Sequence, residues 1–253
     1  MSEQSLSVQK AMTVLRVVGS AQGPISPGEV ISRSGLGKTI VLRILATMLA
    51  ERMIDREPET GRYILGPSLI LLAQKALTRN PLIVRATPVL EEIVALTNDA
   101  GLLMVINGRE SLCVDKRTGT TPIRNVGTEI GTRSPLHAGG GPFALLAFSD
   151  DAFIHEYLSG PISRPTANTV VDPAAIWGRI HEARERGFTI GREDLFEYIV
   201  AVGVPIRDDG GRLLGCLSIG GIAARYPPER CLQVGDALKN LLVKILNQPN
   251  TRE

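Results

Sequence analysis

Residues 24–67 read PISPGEVISRSGLGKTIVLRILATMLAERMIDREPETGRYILGP and contain the signals for two helices followed by two short strands. Ser26 precedes Pro27 and stands three residues before Glu29, which is the pattern of a capping box at the start of a helix. That helix is expected to stop at Gly35, because glycine readily adopts the left-handed conformation found just past a helix end. The segment therefore begins with a short helix and a tight turn.

A longer helix is predicted from about residue 38 to residue 52. One face carries an aliphatic stripe at helical spacing, formed by Val41, Ile44, Leu45, Met48 and Leu49. The opposite face carries Thr39, Leu42, Arg43 and Ala46. A first helix is predicted from Ser7 to about Gly19, with a packing face of Val8, Met12, Leu15 and Val18. These helices fit either a helix-turn-helix, which presents its second helix to the DNA major groove, or a plain helical hairpin.

The residues after these helices favour the DNA-binding alternative. Two short strands are predicted at 53–56 and 62–65, on either side of the turn-rich sequence EPETG at 57–61. A hairpin in this position is the wing of a winged helix-turn-helix. Its tip is acidic, so we expect the arginines at its edges, Arg56 and Arg62, to contact DNA instead.

The first turns of the second helix carry the other predicted DNA contacts. We expect Lys38 and Arg43 to contact phosphate or guanine. Thr39 and Ile40 approach base edges in this hypothesis, and Leu42 lies on the same outer face. Double-stranded operator DNA is therefore the expected partner of this part of the chain.

The composition is that of a protein with two domains. The chain has 253 residues, of which 43% are hydrophobic and 21% charged but only 4% aromatic, so we expect aliphatic cores. Residues 1–80 contain 10 Lys and Arg against 6 Asp and Glu, a net charge of +4, while the remainder contains 18 against 20, a net charge of −2. This difference weakly favours the N-terminal part as the nucleic-acid end. No stretch has the pattern of a signal peptide or a membrane span, so we expect a cytoplasmic protein with no membrane partner.

After the wing, the pattern changes to a linking helix and then to a mixed domain. The linking helix is predicted over 69–79 and ends before Asn80-Pro81. Alternating helices and short strands follow, the strands lying at 102–106, 112–115, 200–206 and 213–219. The sequence DDGG at 208–211 predicts a hairpin, so the sheet is at least partly antiparallel. The fold class is α+β, and the predicted domains are 1–66, 67–80 and 81–253.

The loop at 134–141 is the most suggestive site of the second half. Three consecutive glycines at 139–141 leave backbone amides uncovered where Pro142 starts a helix, and helix N-termini attract anions. We therefore expect a carboxylate ligand there. The predicted effector site comprises His137, Gly139, Gly140, Gly141, Asp194, Ser218 and Gly220. Two simpler alternatives are a structural histidine bonded to nearby backbone at 137 and a solvated charged turn at 192–194.

Other ligand motifs fail on spacing or context. The GKT sequence at 37–39 is like the end of a phosphate-binding loop, but Ser32 stands where that motif needs glycine. The segment 139–144 fits the dinucleotide fingerprint only loosely. No G-x-S-x-G or H-E-x-x-H motif is present and the three histidines and three cysteines are scattered, so we expect no enzyme, no metal site and no cofactor. The rivals are a ligand-responsive regulator, a DNA-binding protein with a non-sensing second domain and, less favoured, an enzyme of small carboxylic acids.

Several motifs, in the order typical of one family, extend over nearly the whole chain. The family's run of Lys-Ser-Thr, two residues and Arg-Leu-Leu appears as KTIVLRIL at 38–45, and its wing ends in RYILG at 62–66. Further motifs are SPLH at 134–137, ARERGF at 183–188 and VPIRD at 204–208. The chain therefore resembles the IclR family of bacterial transcriptional regulators.

This resemblance implies a winged helix-turn-helix, a linker helix that joins subunits, and a GAF-like effector-binding domain. Family effectors are commonly small organic or aromatic acids bound beside the 134–141 loop, and the implied assembly is a homodimer or homotetramer. Two departures affect the implied pocket: Pro142-Phe143 stands where the family usually has Gly-Lys, and Tyr198 stands where glycine is usual. They predict a reshaped or partly filled pocket, and the alternatives for its ligand are a less acidic one, a more aromatic one, or none.

Overall fold

The computed structural model describes residues 4–120 and 127–246, which fold as two units divided between Arg79 and Asn80. The first unit contains α1 (Leu6–Gly19), α2 (Pro27–Ser34), α3 (Lys38–Ala50), β1 (Ile54–Arg56), β2 (Tyr63–Leu65) and α4 (Pro67–Arg79). The second contains α5 (Pro81–Thr97), β3 (Ala100–Asn107), β4 (Glu110–Arg117), β5 (Arg133–Pro135), α6 (Gly140–Ala147), α7 (Asp151–Ser159), α8 (Pro173–Arg186), β6 (Thr189–Arg192), β7 (Ile199–Arg207), β8 (Leu213–Ile222) and α9 (Pro228–Leu246). Within the described ranges, no helix is both long and apolar enough to cross a membrane.

Local sequence signals set the ends of the helices in the first unit. The Ser26 hydroxyl accepts a hydrogen bond from the Glu29 amide, and the Glu29 carboxylate accepts one from the Ser26 amide, which completes the predicted capping box. Gly35 follows α2 in the left-handed conformation, with φ 66°. α3 ends at Ala50, before the predicted residue 52, because Arg52 itself is left-handed, with φ 55°.

One aliphatic core joins α1, α2, α3 and the hairpin of β1 and β2. Its buried side chains are Val14, Val18, Ile25, Val30, Val41, Leu45, Met48, Ile54 and Tyr63. β1 and β2 pair antiparallel, so the predicted wing is confirmed. The predicted packing face of α1 is wrong in its first half, since Val8 and Met12 are 56% and 42% exposed. The buried residues of the helix, Val14 and Val18, lie in its second half. The unit is the predicted winged helix-turn-helix.

The second unit is built on a sheet whose strand order, in the described residues, is β5-β4-β3-β8-β7-β6. Each neighbouring pair of strands is antiparallel. Between β7 and β8 the chain turns at 208–211, where the Gly211 amide donates to the Asp208 carbonyl at 2.8 Å. The predicted hairpin, the antiparallel sheet and the α+β class are therefore confirmed.

Helices cover both faces of this sheet. α5 and α9 pack on one face, over buried residues that include Leu103 and Val202. α6, α7 and α8 pack on the other face, over Leu102 and Met104. Leu102, Leu103 and Met104 thus alternate between the faces, as successive residues of a strand must. This places the start of α6 and the end of α8 on the same side of the sheet.

α6 packs closely on the sheet because it begins with glycines. A Cβ atom added to Gly140 would lie 2.4 Å from the carbonyl oxygen of Ala201 in β7. One added to Gly141 would lie 2.9 Å from the Cβ of Ser218 in β8. Both positions therefore exclude a side chain, and the glycine run brings the start of α6 directly against β7 and β8.

Candidate DNA interface and effector cavity

The N-terminal end of α3 presents its polar face to solvent. Lys38, Thr39, Leu42 and Arg43 are exposed, and Ile40 is half-buried. Gly37 precedes the helix and has no side chain to cap its first amides. The other face of α3 is fixed in the core through Val41 and Leu45. The exposed end therefore combines cationic side chains with the positive end of the helix dipole, an arrangement that attracts phosphate.

The two wing arginines differ in their contacts. Arg56 Nη2 donates to Tyr63 Oη at 3.2 Å and Nη1 donates to the Gly61 carbonyl at 3.3 Å, so Arg56 braces the wing itself. Arg62 is exposed and lies near Glu29. Hydrogen bonds from Ser26 are the main cause of the lowered pKa of the Glu29 carboxyl, and the charge of Arg62 lowers it further. Of the two arginines, Arg62 has the guanidinium that is less engaged by the protein.

A small cavity opens between the start of α6, the sheet and the segment after β6. It lies beside five of the residues predicted for the effector site, namely Gly139, Gly140, Asp194, Ser218 and Gly220. Its volume is about 40 Å³, enough for a few water molecules, since one needs about 10–15 Å³ by this measure. We name it the effector cavity after the residues predicted for that site which line it. Its other walls, missed in the sequence, include Leu102, Met104, Thr128, Leu195, Phe196 and Ile199.

Asp194 is hydrogen-bonded to the glycine turn within the protein. Its carboxylate is buried; Oδ1 accepts a hydrogen bond from the Gly139 amide at 3.0 Å, and Oδ2 accepts one from Arg179 Nη2 at 2.9 Å. Arg179 in turn lies over the Phe143 ring, 4.4 Å from its centroid. The alternative of a solvated charged turn at 192–194 is therefore wrong for Asp194. The first amide of the glycine run, expected to bind a ligand carboxylate, already binds one from the protein.

His137 lies outside the effector cavity and is bonded within the protein. The ring is fully buried, with Nδ1 2.7 Å from Tyr157 Oη and Nε2 2.8 Å from the Ser163 carbonyl oxygen. Burial lowers the pKa of His137 below its ordinary value, and the hydrogen bond to Ser163 opposes this shift. These contacts favour the alternative of a structural histidine at 137 over a ligand contact. Gly141 does not line the cavity either, because it packs directly against Met104 and Ser218, which do.

The two departures from the family pattern do not fill the effector cavity. Phe143 is buried beneath Arg179 on the far side of Asp194, where it lines a separate cleft. Tyr198 keeps the left-handed backbone expected of a glycine, with φ 61°, and its side chain is 70% exposed. The small volume of the cavity is therefore not caused by either of these side chains.

Models of one family match most of the chain. The IclR helix-turn-helix domain matches residues 7–58, and the bacterial transcriptional regulator IclR C-terminal domain matches residues 74–245. The chain is also 27% identical over 246 residues to the HTH-type transcriptional regulator KipR of Bacillus subtilis (strain 168), with 97% of each chain covered. This relative is named as a regulator and not as an enzyme.

Solved structures share the fold. The IclR transcriptional regulator from Alicyclobacillus acidocaldarius has a TM-score of 0.87 and 24% identity, covering 96% of this chain and 98% of its own. An IclR homologue from Microbacterium hydrocarbonoxydans, solved in complex with 4-hydroxybenzoate, has a TM-score of 0.82 and 21% identity, covering 96% of this chain and 100% of its own. The family models, which match both units, show that the chain belongs to the IclR family of bacterial transcriptional regulators.

Proposed function

We propose that this regulator places two α3 helices in successive major grooves of a near-palindromic operator, about 34 Å apart. The observation that carries this proposal is that Lys38, Thr39 and Arg43 are exposed on a helix whose other face is buried. Lys38 supplies a phosphate contact, Thr39 and Ile40 approach base edges, and Leu42 and Arg43 face the groove. The wing contributes mainly through Arg62, with Arg56 as its brace. The proposed site of action is the cytoplasm.

A homodimer or homotetramer is the proposed assembly, with α4 as a subunit contact. No side chain of α4 is buried within the chain. Ile70, Leu71 and Leu72 are 69%, 62% and 53% exposed, which is a large apolar surface for one helix to leave in water. Covering these side chains with a second copy would stabilise the two-fold arrangement that a palindromic operator requires.

The proposed effector is a small organic acid bound in or beside the effector cavity. The cavity provides apolar walls and the hydroxyls of Ser218 and Thr128, which suit a small organic molecule. The complex of the Microbacterium hydrocarbonoxydans homologue with 4-hydroxybenzoate supports the same class of ligand. Such a ligand changes operator affinity only if it binds one arrangement of the protein better than another.

A regulator with a non-sensing second unit is the second candidate. The observation that favours it is the size of the cavity, about 40 Å³, together with the use of the Gly139 amide by Asp194. In this case the second unit serves assembly alone, and operator affinity is the same with and without small molecules.

The test is fluorescence anisotropy of the full chain on DNA from upstream of its own gene, across salt and with a panel of small organic acids. The proposed function requires selective, salt-dependent binding that at least one acid shifts. Selective binding that no acid changes favours the non-sensing alternative. Equal binding to operator and to shuffled DNA would overturn the operator proposal.

A further inference from the structure

A second concave site lies between α8, β6 and the segment around Asn168, next to the effector cavity. Its volume is about 300 Å³, at the lower end of the range of small-molecule sites, about 300–1,000 Å³. We name it the arginine cleft because its walls include Arg179, Arg186 and Arg192. Asp194 lines both the arginine cleft and the effector cavity.

Two of these arginines are held by the fold without a carboxylate partner. Arg186 lies over the Phe188 ring, 5.0 Å from its centroid, and its Nε donates to the Phe188 carbonyl at 3.3 Å. Arg192 donates to the Tyr226 carbonyl and to Cys231 Sγ, both at 3.3 Å. Among the described residues, neither guanidinium forms an ion pair. Both are therefore oriented charges that a ligand can still neutralise.

The charges that line the arginine cleft do not cancel. Arg179 and Asp194 form an ion pair at 2.9 Å and together contribute no net charge. Arg186 and Arg192 remain, opposed by the exposed carboxylate of Glu182. The described walls therefore carry one net positive charge, and an anion is the ligand they favour.

We propose that the arginine cleft binds a small organic carboxylate with an apolar body. A planar guanidinium matches the two oxygens of a carboxylate, and the Asn168 amide adds a polar group at the same site. Phe143, Val170 and Ile190 give the cleft an apolar wall for the rest of the ligand. The described walls of the effector cavity, in contrast, contain no basic side chain. The cleft is distinct from that cavity, and binding there does not depend on the operator.

Arg179 links the arginine cleft to the glycine turn. A ligand carboxylate that bonds to Arg179 competes with Asp194 Oδ2, while Oδ1 of the same side chain holds the Gly139 amide. Ligand binding to Arg179 and the hydrogen bond at the start of α6 therefore both involve the carboxylate of Asp194. By linkage, a change that weakens the Asp194 contact also changes the affinity of the cleft.

Isothermal titration calorimetry of the full chain, without DNA, tests the proposal. The probes are benzoate, 4-hydroxybenzoate, 3-phenylpropionate and adipate, each compared with its uncharged amide and with inorganic phosphate. We expect at least one carboxylate to bind and its amide not to bind. Arg186→Gln and Arg192→Gln should each weaken that binding about 10-fold to 100-fold, the range for one charge-assisted hydrogen bond.

Two further variants keep the test independent of folding. Asn168→Asp places a negative charge at an exposed position of the cleft and should weaken binding without loss of thermal stability. Arg133→Gln removes an exposed arginine elsewhere in the same unit and should leave the affinity unchanged. Binding that is lost in Ser218→Val but kept in Arg186→Gln and Arg192→Gln would belong to the effector cavity and would overturn the proposal. So would equal affinity for inorganic phosphate, or no binding by any carboxylate, even if operator binding is intact.

Discussion

The Gly139 amide donates a hydrogen bond of 3.0 Å to Asp194 Oδ1, which joins the start of α6 to the segment after β6. The other oxygen of the same carboxylate accepts from Arg179 in α8. One buried side chain thus connects three segments that meet beside the effector cavity. Asp194 is therefore a structural centre of the second unit, and its carboxylate already occupies the first amide of the glycine run.

Asp194→Ala should lower the free energy of unfolding of the second unit by about 3 kcal/mol, the lower end of the range for breaking a buried ion pair. The variant leaves Arg179 without its partner and the Gly139 amide without its acceptor. Asp194→Asn keeps an acceptor for the amide and should lose less. Urea unfolding followed by the fluorescence of Trp177, the one tryptophan of the chain, measures this unit.

The matched control is Asp209→Ala, which removes an exposed carboxylate from the turn between β7 and β8. It should change the stability by no more than about 0.5 kcal/mol. Equal losses in Asp194→Ala and Asp209→Ala would show that the Asp194 contacts contribute nothing specific.

Tyr198→Gly should stabilise the second unit by about 0.5–1 kcal/mol. Tyr198 has the left-handed backbone, with φ 61°. This conformation costs a residue other than glycine roughly 1–2 kcal/mol. Glycine avoids that cost but loses about 0.5–1 kcal/mol more in chain entropy on folding. The side chain is 70% exposed, so its removal loses little packing. Tyr198→Ala is the control, because it removes the same ring but keeps the Cβ atom; a gain in both variants would point to the ring and not to the backbone.

Two glycines in helices of the second unit should respond oppositely to alanine. Gly140→Ala places a Cβ atom 2.4 Å from the Ala201 carbonyl oxygen, so α6 must move and the loss should be about 1–3 kcal/mol or more. Gly178→Ala in α8 meets no atom within 4 Å and should gain about 0.5–1 kcal/mol. Chemical unfolding of both variants checks the contrast, and a loss in Gly178→Ala would contradict it.

The first unit could be predicted from sequence because its signals are local. Ser26, Glu29 and Gly35 lie within one short segment, and their hydrogen bonds and backbone angles follow from neighbours along the chain. The face of α1 was predicted less well, because periodicity marks an apolar face without showing how far the partner helices extend along it. Val8 and Met12 belong to that face and are nevertheless exposed.

The effector site could be predicted only in part, because its contacts join distant residues. The glycine run was visible, but its partner Asp194 is brought to it by the packing of α6 against β6 and β7. In the sequence Arg179 is only a basic residue on a helix, and nothing near it along the chain indicates its ion pair with Asp194. His137 lies within the loop in sequence, but its partners, Tyr157 and Ser163, lie on α7 and the segment after it.

His137 should make the second unit less stable below about pH 6.5. Its folded pKa is lowered from 6.5, chiefly by burial, so protonation favours the unfolded state. The stability due to neutral His137 is therefore complete above pH 6.5 and is lost as the pH falls toward the lower folded value, with a limiting slope of about 1.4 kcal/mol per pH unit. His137→Gln should flatten the pH dependence of unfolding between pH 5 and 7, and an unchanged slope in this variant would contradict the prediction.

Arg43→Ala should weaken operator binding by about 1–3 kcal/mol if its guanidinium reads a guanine in the major groove. Arg43→Lys separates the two ways in which Arg43 can act, because lysine keeps the charge but cannot form the planar, two-pronged contact. A guanine contact predicts that lysine rescues little and that discrimination between operator and mutated operator falls. A phosphate contact predicts that lysine rescues most of the affinity, and that alanine reduces the slope of affinity against salt by about one unit. Anisotropy titrations across salt measure both the affinity and its salt dependence. Thr47→Ala, at an exposed position one turn further along α3, is the control. Unchanged affinity in Arg43→Ala would remove Arg43 from the interface.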